Sequence, residues 1–150
     1  MTHTKLRIKG ISDTATIKQD IQDALRAHVI KRDKGCILRN IYGIPKCNGY
    51  RTDGELILQA DHLVTRSNSA TYGDTRLVVC VCKGHHGWKK WHEREYNALL
   101  KEKVLDKEIV KLWERCERES WRLRKYTTDW KLALLAIQKE TEKLSTPKFD

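Results

Sequence analysis

The chain is poor in the residues that interrupt or loosen a fold. Its 150 residues hold two prolines, Pro45 and Pro147, and eight glycines, with no Gly/Ser-rich linker and no internal repeat. A string of flexibly joined domains and a low-complexity tail are therefore excluded, and one continuous folded unit is the simplest reading. Long apolar runs are missing too. Nothing approaches the roughly 20 apolar residues that cross a bilayer, which excludes a transmembrane segment, and no membrane partner is expected. Leu77 to Cys82, among the longest clean apolar runs, has the length of a buried strand. The opening MTHTKLRIKG lacks the apolar stretch of a secretory signal, and five cysteines are an odd number for a disulfide framework. The expectation is a cytoplasmic protein whose cysteines are thiols or metal ligands.

What is abundant is positive charge. Thirty Lys and Arg against twenty Asp and Glu give a net charge of +10, while 39% hydrophobic residues and five tryptophans exclude a disordered basic tail. A chain of this length buries about 68–70% of its unfolded surface, enough for a real core. The cations are spread through Lys31, Arg32, Lys34, Arg39, Lys46, Arg51, Arg66, Lys83, Lys89 and Lys90. They are not gathered on an amphipathic anchor, so the distribution favours a nucleic-acid surface.

The fold class expected is α+β. A short strand is expected over Lys5 to Lys9. Ile17, Ile21, Leu25 and Val29 then recur every fourth residue, the stripe of a helix over Thr14 to Val29. From Cys36 to Cys82, Gly35, Gly43, Pro45, Gly49 and Asp53-Gly54 punctuate short β-rich pieces, Glu55 to Ala60 and Arg76 to Val81. Beyond Lys89 helix formers dominate. Leu105, Ile109, Leu112, Trp113 and Cys116 stand at helical spacing, and a further segment after Thr127-Thr128-Asp129 carries Leu134, Ile137 and Leu144. Trp113, Trp121 and Trp130 read as packing between helices. The organisation is an N-terminal strand and helix over 1–30, a core over 31–92 and a helical C-terminal extension over 93–150.

The chemistry concentrates between residues 59 and 92, which read as strand, loop, strand, helix. Asp61 and His62 end the first strand. A carboxylate that holds a divalent cation and an imidazole that takes a proton from water can divide the labour of phosphodiester hydrolysis. Neighbours on a regular strand face opposite ways, a limit that a strand end relaxes. Cys82-Lys83-Gly84-His85 has the spacing of a zinc knuckle, completed by Cys36 and Cys47 into a Cys3His set. Cys80 is the rival ligand, because it shares a face with Cys82 if the strand stays regular, whereas Cys116 reads as core. His85 and His86 project about 100° apart on a helix, so His85 serves the structural zinc and His86 turns toward Asp61 and His62. His92 reads as exposed or phosphate-contacting.

This arrangement resembles the HNH, or ββα-metal, nuclease family over roughly residues 30 to 92. The resemblance is carried by Arg32-Asp33 before Cys36, by Cys47, by Asp61-His62 at a strand end, and by Cys82-x-x-His85-His86 opening a helix. It implies a metal-dependent DNA endonuclease of a kind frequent in phages and prophages, acting in the host cytoplasm, with phage recombination or packaging proteins as further partners. His62 is then the general base. Asp61 and His86 hold one Mg2+ or Mn2+, and Cys36, Cys47, Cys82 and His85 hold a structural Zn2+. Arg66, Lys83, Lys89 and Lys90 contact phosphates. The family's middle Asn is displaced here: Asn68 is the one Asn between His62 and His86, which leaves Asn68, Asp74 or a backbone carbonyl to orient the base. A zinc-stabilised nucleic-acid-binding protein without turnover is the alternative.

Overall fold

The computed structural model describes residues 2–64, 71–119 and 129–145. The chain is α+β: helix α1 (Thr2–Asp33), strands β1 (Leu58–His62) and β2 (Val78–Cys82), then helices α2 (Lys83–Trp91), α3 (Glu93–Leu99), α4 (Lys107–Arg118) and α5 (Trp130–Ser145). The order β1, β2, α2 makes a ββα unit. The strand expected over Lys5 to Lys9 is not formed, and those residues belong to α1. Five alternating residues without a strand partner are outweighed by a helix already nucleated downstream, which extends at one hydrogen bond per residue.

Both strands begin later than their hydrophobic patterns suggest. Residues 50–56 form their own small turn, with a bridge between Tyr50 and Leu56 and Arg51 N–H donating to the Glu55 carbonyl at 2.7 Å. Gly54, at φ +88°, supplies the left-handed turn residue there. Residues 75–77 coil into a short 3-10 turn, because the Asp74 carboxylate accepts from Arg76 N at 3.0 Å and draws the backbone round before β2 starts.

The two strands pair antiparallel, with Ala60 opposite Cys80, Asp61 opposite Val79 and His62 opposite Val78. Cross-strand partners share a face, so this register sorts the sheet into two sides. On one side Val79 and Val81 pack with Cys36, Leu38, Tyr96, Leu100 and Trp113. On the other, Val78 and Cys80 pack with Ile21, Leu25 and Val29 of α1, with Tyr72, and with Ile137 of α5. The every-fourth stripe of α1 thus meets the sheet as its spacing requires. Leu144 departs from the stripe expected of α5 and stays 42% exposed, whereas Trp130 packs edge-on against Tyr72 at 5.4 Å. Trp113 is buried as expected, and Trp121 lies outside the described residues.

The outer edge of β2 is closed by the end of α1. Asp33 accepts from Cys80 N at 3.0 Å, and Ile37 N donates to the Cys80 carbonyl at 2.9 Å. Arg32 pairs with Asp33 at 2.8 Å and donates to the carbonyls of Thr75 and Val78, each at 2.7 Å. Arg32-Asp33 is a clamp from helix to sheet.

His28 is buried between α1 and α5. Thr141 donates its hydroxyl to the Ile137 carbonyl at 2.7 Å, so its oxygen accepts the proton on His28 Nδ1 at 2.9 Å. Burial, followed by the nearby Arg32 charge, lowers the His28 pKa below its ordinary 6.5. The folded protein therefore holds this imidazole neutral while the unfolded chain takes up a proton. Stability falls as pH drops through 6.5 and levels off below the lowered folded-state value. The thermal midpoint, measured by circular dichroism from pH 7.5 to 5.5, is expected to decline less in His28→Gln than in the parent.

Candidate functional site

Two groups of polar side chains flank the first turn of α2. In the first, the ligand atoms of Cys36, Cys47, Cys82 and His85 all lie within 4.8 Å of one another, so the four can hold one metal ion. They come from two places: Cys36 and Cys47 from the segment between α1 and β1, and Cys82 and His85 from the junction of β2 with α2. Cys82 caps the helix, its sulfur accepting from His85 N at 3.3 Å. The bend at this cap turns Cys82 toward the Cys36 side of the sheet. Cys80 keeps to the α1 side and takes no part, so the ligand choice between them falls to Cys82.

The tautomer of His85 fits this use. A carbonyl can only accept, so the 2.6 Å contact of Nε2 with the Pro45 carbonyl puts the proton on Nε2. The lone pair of Nδ1 then faces the sulfurs of Cys82, Cys36 and Cys47 at 3.2, 3.3 and 3.8 Å. A backbone carbonyl holding the far nitrogen is the usual support of a metal-bound histidine. Burial, then the neighbouring sulfurs, pushes the Cys47 thiol up to about 12, and burial raises Cys36 in the same direction. Mutually repelling thiolates of this kind are stable together only around a cation, and three sulfurs with one imidazole are the donor set of structural zinc. Gly84 is required beside them, since a Cβ there would lie 2.8 Å from the Asn48 carbonyl oxygen.

The second group centres on Asp61, whose side chain is 4% exposed. Lys89 Nζ lies 2.9 and 3.0 Å from its two oxygens, Tyr96 donates its hydroxyl at 2.6 Å, and His86 Nε2 stands 3.4 Å away. Burial alone would raise the Asp61 pKa. The His86 contact, the Lys89 charge and the Tyr96 hydroxyl outweigh it and hold the carboxyl below its ordinary 3.8. Burial and the adjacent Asp61 push the Tyr96 phenol up, which keeps it a donor. On the other side of His86, Gln59 Oε1 accepts from Nδ1 at 2.6 Å and leaves Nε2 directed at Asp61.

His62 does not join this group. Its pairing with Val78 puts it on the α1 face, where its ring lies 5.3 Å from Tyr72. It lines a cleft of about 200 Å³ with Gln22, Arg26 and Gln59, whereas His86 lines another of about 520 Å³ with Gln59, Lys83 and Lys90. Strand alternation persists to the end of β1, so the convergence expected of Asp61, His62 and His86 is realised by Asp61 and His86 alone. Lys89 is likewise turned inward to Asp61 and is not a free phosphate contact, while Lys83 and Lys90 are exposed. His92 is exposed and stacks on Trp88 at 5.2 Å. Asp74 is spent on Arg76. Arg66 and Asn68 lie outside the described residues. Gln59 and Tyr96 escaped the sequence reading. Gln59 was findable as the residue two before Asp61 on the same strand face, but Tyr96 arrives from a separate helix.

Among the described residues no helix is long and apolar enough to cross a membrane. Comparison of the chain with protein-family models, with curated proteins and with solved structures finds no match to any of them. Metal analysis of the purified protein is expected to find about one Zn2+ per chain. Cys47→Ala should lose it, whereas Cys80→Ser and His85→Cys should keep it. Retention by Cys47→Ala would refute the assignment of that ligand.

Proposed function

We propose that the chain is a metal-dependent DNA endonuclease of the HNH type that hydrolyses phosphodiester bonds. The carrying observation is the meeting of Asp61 and His86 across 3.4 Å, in a ββα unit whose helix is tied at its first turn to the Cys3His set. A carboxylate and an imidazole so spaced suit a hard divalent cation such as Mg2+ or Mn2+, and these two residues would hold it. When bound, such an ion stabilises charge on the phosphate and on the departing oxygen. The donor chemistry fits, with one competitor: the Lys89 ammonium already contacts both Asp61 oxygens and must be displaced.

His62 serves from across the strand. Gln59 borders both clefts, and among the described residues no strand pairs with the outer edge of β1. A phosphodiester laid over that edge meets His86 from one side and His62 from the other. In this role His62 accepts the proton of the attacking water, leaving 5′-phosphate and 3′-hydroxyl ends. The exposed Lys83 and Lys90 contribute affinity through phosphates without reading sequence.

A second reading has its own support. The Lys89 and Tyr96 contacts satisfy Asp61 without any ion, as expected of a zinc-stabilised DNA-binding protein that does not turn over. Supercoiled plasmid separates the two. Nicking is expected with Mg2+ or Mn2+ and not without, and His62→Ala should lower the rate on the order of 10²–10⁴ while zinc content stays unchanged. Lys89→Met should reach half-maximal rate at a lower Mn2+ concentration. Salt-sensitive DNA binding with no nicking in any metal would establish the second reading, and nicking by His62→Ala at the parental rate would remove His62 from the mechanism.

A further inference from the structure

Helix α2 contains two glycines, and only one has a reason inside the protein. Gly84 passes so close to Asn48 that a Cβ cannot fit, but a Cβ on Gly87 would meet nothing within 4 Å. Glycine is the poorest helix former after proline, and Gly87 stands at the middle of a nine-residue helix, without a positive φ to justify it. Its neighbours on the helix surface are Lys83, four residues before it, with Lys90 and Trp91 three and four residues after, all exposed. Trp91 is 80% exposed, against 1% for Trp113. Lys90 Nζ lies 5.7 Å from the Trp91 ring centroid, so cation and ring form one surface beside the cleft that His86 lines. Glu93 is the acidic residue lining that cleft.

We infer that Gly87 is the point where a nucleic-acid backbone crosses α2 in close contact, and that Trp91 stacks on an unpaired base of the same strand. The inference rests on the nuclease reading for its occupant and deepens it by naming the substrate form: DNA with an unpaired segment beside the cleaved phosphate. A missing side chain lets a phosphate and its sugar approach the helix backbone, and the flanking lysines neutralise the charge they bring. An exposed indole offers a stacking face to any base, but a base held within a duplex cannot use it. Glycine in this place is unfavourable for the helix alone and favourable for a helix that is covered.

The test uses the full chain loaded with zinc and freed of other divalent ions, so that binding is read without cleavage. The probes are a fluorescein-labelled single strand, the blunt duplex, and the same duplex with a single-stranded overhang, followed by anisotropy. Gly87→Ala is expected to raise the thermal midpoint, because the helix improves, and to weaken binding of the single strand and the overhang several-fold. A residue with a purely structural role would move stability and affinity in the same direction. Trp91→Ala should fold as the parent does and lose about tenfold in preference for the overhang over the blunt duplex. Parental affinity in Gly87→Ala, or an unchanged preference in Trp91→Ala, overturns the inference and leaves the nuclease reading standing if the parent nicks plasmid. Failure of the parent to bind any of the three probes overturns both.

Discussion

The arrangement depends on a single imidazole held from both sides. His85 donates a hydrogen bond from Nε2 to the Pro45 carbonyl and turns Nδ1 to three sulfurs, so one side chain joins two points of the segment between α1 and β1 to the first turn of α2. A two-stranded hairpin is marginal by itself, and a nine-residue helix is too short to persist alone in water. An ion held by this Cys3His set would tie their junction to two points of that segment and let so small a ββα unit hold a defined shape. The direction of α2 follows from that cluster, and the direction of α2 aims His86 at the end of β1.

The second constraint is the buried charge of Asp61. A carboxylate this far from water is tolerated only with several donors, and it collects them from α2 and α3: the Lys89 ammonium and the Tyr96 hydroxyl, with His86 3.4 Å away. The cluster is completed by side chains of the protein itself. With Lys89 in place it is a closed ion pair that stabilises the packing of α2 and α3 on the sheet. Under the proposed nuclease reading a divalent ion would replace the ammonium, with the same carboxylate and imidazole to hold it. The chemistry of the nuclease reading turns on that exchange.

Much of this was legible in the residues. The spacing of Cys82 to His85, with Cys36 and Cys47 upstream, pointed to the metal set, and the every-fourth apolar pattern of Ile21, Leu25 and Val29 pointed to the buried face of α1. Less legible were the start of that helix, where five alternating residues suggested a strand, and the inward turn of Lys89, which nothing in a run of lysines announces. The contact between Tyr96 and Asp61 joins residues 35 apart in the chain, and no local pattern encodes it.

By itself the sequence determined the donor types, the ββα order and the two-residue interval that lets Cys82 and His85 reach one ion, because these depend on local geometry and side-chain chemistry. Only the tertiary structure decided which face of the sheet each of Asp61 and His62 would occupy. The antiparallel register sets Asp61 opposite Val79 and His62 opposite Val78. Since successive strand residues alternate sides, a choice made by the pairing of distant segments sends one of these neighbours to α2 and the other to α1.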